Sequence, residues 1–108
     1  MTTCGGIVST DTIIKYPASG KYGNNKHCVW DVDIVGGFCV KVTMIDVEQH
    51  SRCNYDYLQV GNQKHCGRNR VSMPPEACFS RPTKIVFRSD HIIGLSGFQL
   101  EIKGKKLV

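Results

Sequence analysis

The sequence predicts an all-β chain, an antiparallel β-sandwich or barrel stapled by disulfides. Three observations carry this. Apolar and polar residues alternate with period two along most of the chain. No stretch places apolar residues at i, i+3, i+4 and i+7 over three helical turns. Six cysteines occur among 108 residues, an even number and a high density. Taken in order, Ile7–Ile14 is a first short strand. In Val29–Val35, Trp30, Val32 and Ile34 alternate with Asp31 and Asp33. In Phe38–Met44, Phe38, Val40, Val42 and Met44 share one face, and Cys39, Lys41 and Thr43 the other. Tyr55–Val60 and Lys84–Arg88 are further short strands. Phe98, Leu100 and Ile102 alternate with Gln99, Glu101 and Lys103 at the end. Each pattern suits a strand with one face buried and one in water. Punctuation separates them at 17–23, Gly36-Gly37, Gly61-Asn62, Pro74-Pro75, Pro82 and 94–97. Trp30, Val32, Val42, Phe87 and Phe98 are the expected core.

The length suits one domain, read as residues 1–108 with a core over about 4–102 and a basic tail over 103–108. No run approaches the roughly 18 apolar residues of a membrane-spanning helix. No basic and apolar leader precedes Cys4, and Met1 reads as an added start on a mature or excised domain. Cysteine usage places the chain outside the cell, as a secreted protein with disulfides. A rival is a Cys/His zinc site, since His27, His50 and His65 lie beside or near Cys28, Cys53 and Cys66. No C-x-x-C or zinc-ribbon spacing supports it.

Cys4-Gly5-Gly6, Tyr16-Pro17, Cys28-Val29-Trp30-Asp31-Val32, the run Cys53 to Val60 (CNYDYLQV), Cys66-Gly67, Phe87-Arg88-Ser89-Asp90 and Gly97-Phe98-Gln99-Leu100 together resemble a CUB domain. This is the extracellular module of complement proteases, tolloid-type proteinases and spermadhesins. The resemblance extends from Cys4 to about Ile102. It implies a jelly-roll-like sandwich of two antiparallel sheets and two disulfides, mapped here onto Cys4–Cys28 and Cys53–Cys66. Cys39 and Cys78 depart from the family pattern. They remain either a third bridge, two free thiols or a link to another chain, with the third bridge the expected outcome.

The resemblance also implies a calcium site at one end of the sandwich. Its three carboxylates correspond to Glu48, Asp56 and Asp90, and a tyrosine that hydrogen-bonds them corresponds to Tyr22, with Tyr16 as the fallback. Calcium is a hard ion that takes six to eight oxygen ligands, so a carboxylate set suits it. The segment after Asp90 (His91-Ile92-Ile93-Gly94) has no Asn or Asp, so one family side-chain ligand is missing and weak affinity is expected. In the family, a partner lysine often reaches these acids; Glu48, Asp90 and Tyr22 would then contact an extracellular protein.

Charge is uneven. The first 63 residues carry five bases and six acids, whereas Lys64 onward carries nine bases and three acids. Lys64, Arg68, Arg70, Lys103, Lys105 and Lys106 offer a second reading, a free-standing spermadhesin-like binder of sulfated glycans or anionic surfaces. Nucleic acid is not expected, because aromatics are few and several of them (Trp30, Phe38, Phe87, Phe98) belong to the core. No G-x-S-x-G, H-E-x-x-H or P-loop occurs. Ser89, Asp90 and His91 are adjacent, which turns successive side chains to opposite faces. The chain reads as a non-catalytic binding module.

Overall fold

The computed structural model describes residues 1–48, 51–69, 76–90 and 94–105. Ten strands follow one another: β1 (Gly6–Val8), β2 (Thr12–Tyr16), β3 (His27–Val32), β4 (Phe38–Val47), β5 (Tyr57–Val60), β6 (Gln63–His65), β7 (Gly67–Asn69), β8 (Glu76–Phe79), β9 (Thr83–Arg88) and β10 (Gly97–Gly104). One sheet has the order β1-β3-β9-β5-β6; the other has β2-β10-β4-β7, with β8 also on β4. All pairs are antiparallel except β1 with β3.

The inward faces form one core. Trp30, Phe38, Phe87 and Phe98 are its largest fully buried side chains, packed with Val32, Val42, Ile14, Leu58 and Leu100. The Trp30 ring lies edge-on to Phe98 at 5.7 Å, and Phe87 stacks tilted on Phe98 at 5.5 Å. Phe87 in turn meets Tyr22 edge-on at 4.9 Å. This aromatic chain runs from the middle of the core to one end of the sandwich.

Several elements differ from the sequence reading. Ile7–Ile14 is two strands, and the chain changes sheets between Val8 and Thr12. Alternation reports which side chains face inward but not which sheet receives them. The long strand β4 is bulged: Gln99 pairs with Met44, but Leu100 pairs with Val42, leaving Thr43 unmatched. Thr43 Oγ1 donates to the Gln99 carbonyl at 3.2 Å. An extra residue reverses the faces of everything beyond it. Ile45 and Val47 are therefore buried and Met44 is only half-buried, contrary to the unbroken alternation expected of Phe38–Met44. β6 and β7 carry no apolar side chain for alternation to reveal, and β8, with three apolar residues among four, is too short to show a period.

Three disulfides are present: Cys4–Cys28, Cys39–Cys78 and Cys53–Cys66. Cys78 lies on a short strand that precedes Lys84–Arg88. It sits on β8, directly opposite Cys39 on β4, and this register brings the two sulfurs together on the outer face. No cysteine is free, so no thiolate remains for the rival zinc site. The expected basic tail also starts later than position 103. Lys103 and Gly104 continue β10, and the Lys105 N–H donates to the Gly37 carbonyl at 2.9 Å, because β4 still offers pairing partners there.

Candidate metal centre

Three strand ends meet at one end of the sandwich. β4 delivers Glu48 just after Val47. β5 begins immediately after Asp56, whose loop is tied down by Cys53–Cys66. β9 ends at Arg88 and passes through Ser89 to Asp90. Because β5 and β9 are antiparallel, with Tyr57 opposite Arg88, Asp56 and Asp90 are neighbours.

One carboxylate oxygen from each of Glu48, Asp56 and Asp90 lies within 4.8 Å of the other two. Oxygens on opposite sides of a calcium ion are about 4.6–5.2 Å apart, twice its usual 2.3–2.6 Å bond length. The three donors are thus close enough to share one such ion, and their hardness suits it. Asp56 is completely buried. Its Oδ1 accepts the Asp90 backbone N–H at 2.7 Å, and its Oδ2 accepts the Tyr22 hydroxyl at 2.5 Å. Burial pushes the Asp56 carboxyl above its usual range and the Asp90 charge adds to this, while the hydrogen bonds from Tyr22 and Asp90 pull the other way. Burial thus works against the charged form of Asp56, and a cation beside it would favour that form.

Tyr22 is the hinge of the cluster. It is buried, and its hydroxyl donates to Asp56 while accepting the Glu48 backbone N–H at 3.2 Å. Burial, chiefly, and the bond to Asp56 push its own phenol well above the ordinary range. The loop that carries it is fixed from both sides. Tyr22 N–H donates to the Leu95 carbonyl at 3.0 Å. A Cβ on Gly94 would fall 2.3 Å from the Tyr22 carbonyl oxygen, so only glycine permits this approach. Tyr16, the fallback, is instead a core residue, its ring against Trp30 and Phe87.

Ser89 is a positioning residue that sequence reasoning quoted but gave no role. It is buried; its hydroxyl donates to the Gly23 carbonyl at 2.8 Å and accepts the Lys26 N–H at 2.9 Å. The Asn25 N–H donates to the Asp90 carbonyl at 2.8 Å. Ser89 and Asp90 therefore bind the loop that contains Tyr22. Only the F-R-S-D run signals this in the sequence. Asp46, two residues before Glu48, accepts the Ser96 N–H at 3.0 Å and fastens the start of β10 nearby. Residues 91–93, which follow Asp90, lie outside the described residues.

The basic set is not gathered in one place. Lys64 is exposed on β6, in the other sheet from Arg68 on β7. Arg68 pairs opposite Asp46, whereas Lys103 pairs opposite Cys39. Those two β4 positions are about 23 Å apart along an extended strand. Arg70 and Lys106 lie outside the described residues.

A disulfide-stapled β-sandwich with an acidic cluster framed by loops at one end is the architecture of a binding module. The family model for the CUB domain matches residues 4–102, and the chain belongs to the CUB domain family. CUB domains are protein-interaction modules of extracellular proteins and generally non-catalytic. The chain is 29% identical over 112 residues to cubilin of Canis lupus familiaris, covering 90% of this chain and 3% of that protein. It is 31% identical over 114 residues to bone morphogenetic protein 1 of Xenopus laevis, covering 90% of this chain and 15% of that one. It therefore spans a small fraction of these relatives' length. Among solved structures, the CUB1-EGF-CUB2 region of rat MASP-1 superposes with a TM-score of 0.81 at 16% identity, over 96% of this chain and 44% of that one. The MASP-1 CUB2 domain bound to Ca2+ superposes with a TM-score of 0.75 at 23% identity, over 94% of this chain and all of that one.

Proposed function

We propose that this CUB domain is a secreted, non-catalytic module that binds one calcium ion through Glu48, Asp56 and Asp90. Its loop end would then hold an extracellular protein partner through a basic side chain of that partner. The observation that carries the reading is the convergence of the three carboxylates within 4.8 Å, one of them fully buried. The Ca2+-bound MASP-1 CUB2 domain, of the same fold, supports it. A calcium ion held there would neutralise the mutual repulsion of the three acids. The chain's own residues do the rest. Tyr22 orients Asp56 and fixes the start of the Glu48 backbone; Ser89 holds the 23–26 loop against Asp90. Glu48 and Asp90 are only half-buried, so one edge of each faces the solvent where a lysine or arginine would approach. Residues 1–108 act as one such module in this reading.

Calorimetric titration with calcium alone tests the site. The full chain should show binding in the weak extracellular range, with a dissociation constant of roughly 10⁻⁴–10⁻³ M. Calcium at one hundred times that constant should stabilise the fold by about 2.7 kcal/mol. Asp56→Asn and Asp90→Ala should remove this stabilisation while leaving a folded sandwich, because core and disulfides remain. Absence of both heat and a melting shift at millimolar calcium would leave the acids as structural residues only.

A further inference from the structure

The bridge Cys39–Cys78 differs from the other two in where its sulfurs sit. Cys28 is fully buried, and Cys66 packs against the core. Cys39 is only half-buried, Cys78 is exposed, and neither belongs to the core. Phe38 and Val40, on either side of Cys39, are buried, so Cys39 faces outward. Cys78, directly opposite on β8, shares that face. Lysines flank the Cys39 side of the bridge. Lys103 on β10 stands opposite Cys39 from the other side, and it too faces outward because Ile102 is buried. One row across the outer face of the second sheet therefore reads Lys103, Cys39, Cys78. Lys41 is the next residue of β4 on this face, and its ammonium lies 3.9 Å from the Glu76 carboxylate. One Glu76 oxygen lies within 4.8 Å of both sulfurs, so Lys41 offsets the acid nearest the bridge.

Thiol–disulfide exchange needs a sulfur that a thiolate can reach and a leaving thiolate that its surroundings stabilise. Under native conditions it also needs a fold that survives the open bridge. Cys78 supplies the reachable sulfur. An ammonium nearby stabilises a thiolate, so Cys39, beside Lys103, is the better leaving group. β8 keeps its four pairs to β4 without the bridge, and Phe79 still tilts against Phe38 at 5.4 Å. The Cys4–Cys28 bridge is unsuited by comparison. Attack at the exposed Cys4 expels a thiolate at fully buried Cys28, where apolar surroundings disfavour it.

We propose that Cys39–Cys78 is an exchangeable bridge and that Cys78 is a site of reversible modification by a small monothiol. The incoming thiolate attacks Cys78 Sγ and forms a new S–S bond there. The Cys39–Cys78 bond breaks, and its electron pair leaves on Cys39 Sγ. The proton of the incoming thiol goes to water, and the Cys39 thiolate takes one up as it is protonated. One disulfide replaces another, so nothing is oxidised or reduced overall. Cys39 stays opposite Cys78 on β4 and reverses the step when the thiol is scarce. The domain thus carries a mark that follows the thiol concentration around it. The metal centre lies apart: Glu48 is nine residues along the chain from Cys39, roughly 30 Å at the usual strand rise. The exchange does not depend on calcium.

The test incubates the full chain with reduced glutathione in chelator under native conditions, quenches with N-ethylmaleimide and maps the peptides by mass spectrometry. Glutathione should appear on Cys78 and maleimide on Cys39, with Cys4–Cys28 and Cys53–Cys66 intact. Lys103→Gln should slow this labelling roughly two- to threefold, because a less stabilised thiolate leaves more slowly. Its melting temperature should match that of wild type. Lys15→Gln, on β2 away from the row, should label at the wild-type rate. Labelling of either other bridge before this one would overturn the assignment, as would labelling no faster than global unfolding. Glutathione on Cys39 instead of Cys78 would overturn the direction of attack. An unchanged rate in Lys103→Gln, or an equal slowing in Lys15→Gln, would overturn the role of the lysine.

Discussion

Tyr22→Phe deletes a single oxygen that sits between two of the three acids. In the wild type that hydroxyl donates to Asp56 Oδ2 at 2.5 Å and accepts the Glu48 N–H at 3.2 Å. Phenylalanine keeps the ring against Phe87, so the packing contribution of the site is unchanged. What is lost is a hydrogen bond to a fully buried carboxylate, about 1.5–3 kcal/mol for a charged acceptor. At about 4 °C per kcal/mol for a domain near 100 residues, the melting temperature in chelator should fall by roughly 6–12 °C. Asp56, without its donor, should also hold calcium less well, by roughly 10–100-fold as for other residues that orient a ligand. Scanning calorimetry in chelator reads the first effect, and calcium titration reads the second. The two arms are separable. Loss of stability without any calcium binding in the wild type would leave Tyr22 as a structural tie alone. A variant that melts within about 1 °C of wild type and keeps its calcium affinity would refute the reasoning, showing that water replaces the hydroxyl at no cost.

Further outcomes follow from the core and the edges. Phe98→Ala removes a fully buried ring that touches Trp30 and Phe87, and should cost on the order of 3–5 kcal/mol in a urea melt; a change below about 1 kcal/mol would mean the core is not packed as described. Gly97→Ala should be as damaging without touching the core. Gly97 has φ +90, and a Cβ there would lie 2.0 Å from the Tyr16 carbonyl oxygen, so the β10–β2 junction must shift by a cost on the order of 3 kcal/mol or more, read in the same melt. His65 supplies a pH dependence. Burial lowers its pKa below the ordinary 6.5, so the folded state disfavours the charged form that the unfolded chain accepts. Its contribution to stability is complete above about pH 6.5, falls as pH drops toward the lowered folded value, and levels off below it. His65→Gln should flatten that part of a stability-versus-pH curve, and an unchanged slope would assign the dependence to other groups.

The sequence by itself determined the class of fold and the identity of most core residues. Trp30, Val32, Phe87 and Phe98 face inward because strand alternation is local, set by a backbone that turns successive side chains to opposite faces. The family motifs also named Glu48, Asp56, Asp90 and Tyr22 as candidates. Only the tertiary structure decided which strands pair. Nothing local in Ile7–Ile14 marks the crossing between sheets, and nothing in Phe38–Val47 marks Thr43 as the residue that reverses the faces. Register also decided the cysteines that motifs left open, since Cys39 and Cys78 meet only because β8 aligns on β4. The same holds for chemistry. Asp56 is an ordinary turn acid in the sequence; it becomes buried and crowded because three strands end together and Tyr22 covers it. His27, Tyr57 and Arg88 lie far apart in the chain, and pairing across the sheet brings them into one row. Side-chain character is written residue by residue, whereas proximity depends on long-range pairing that no short window contains.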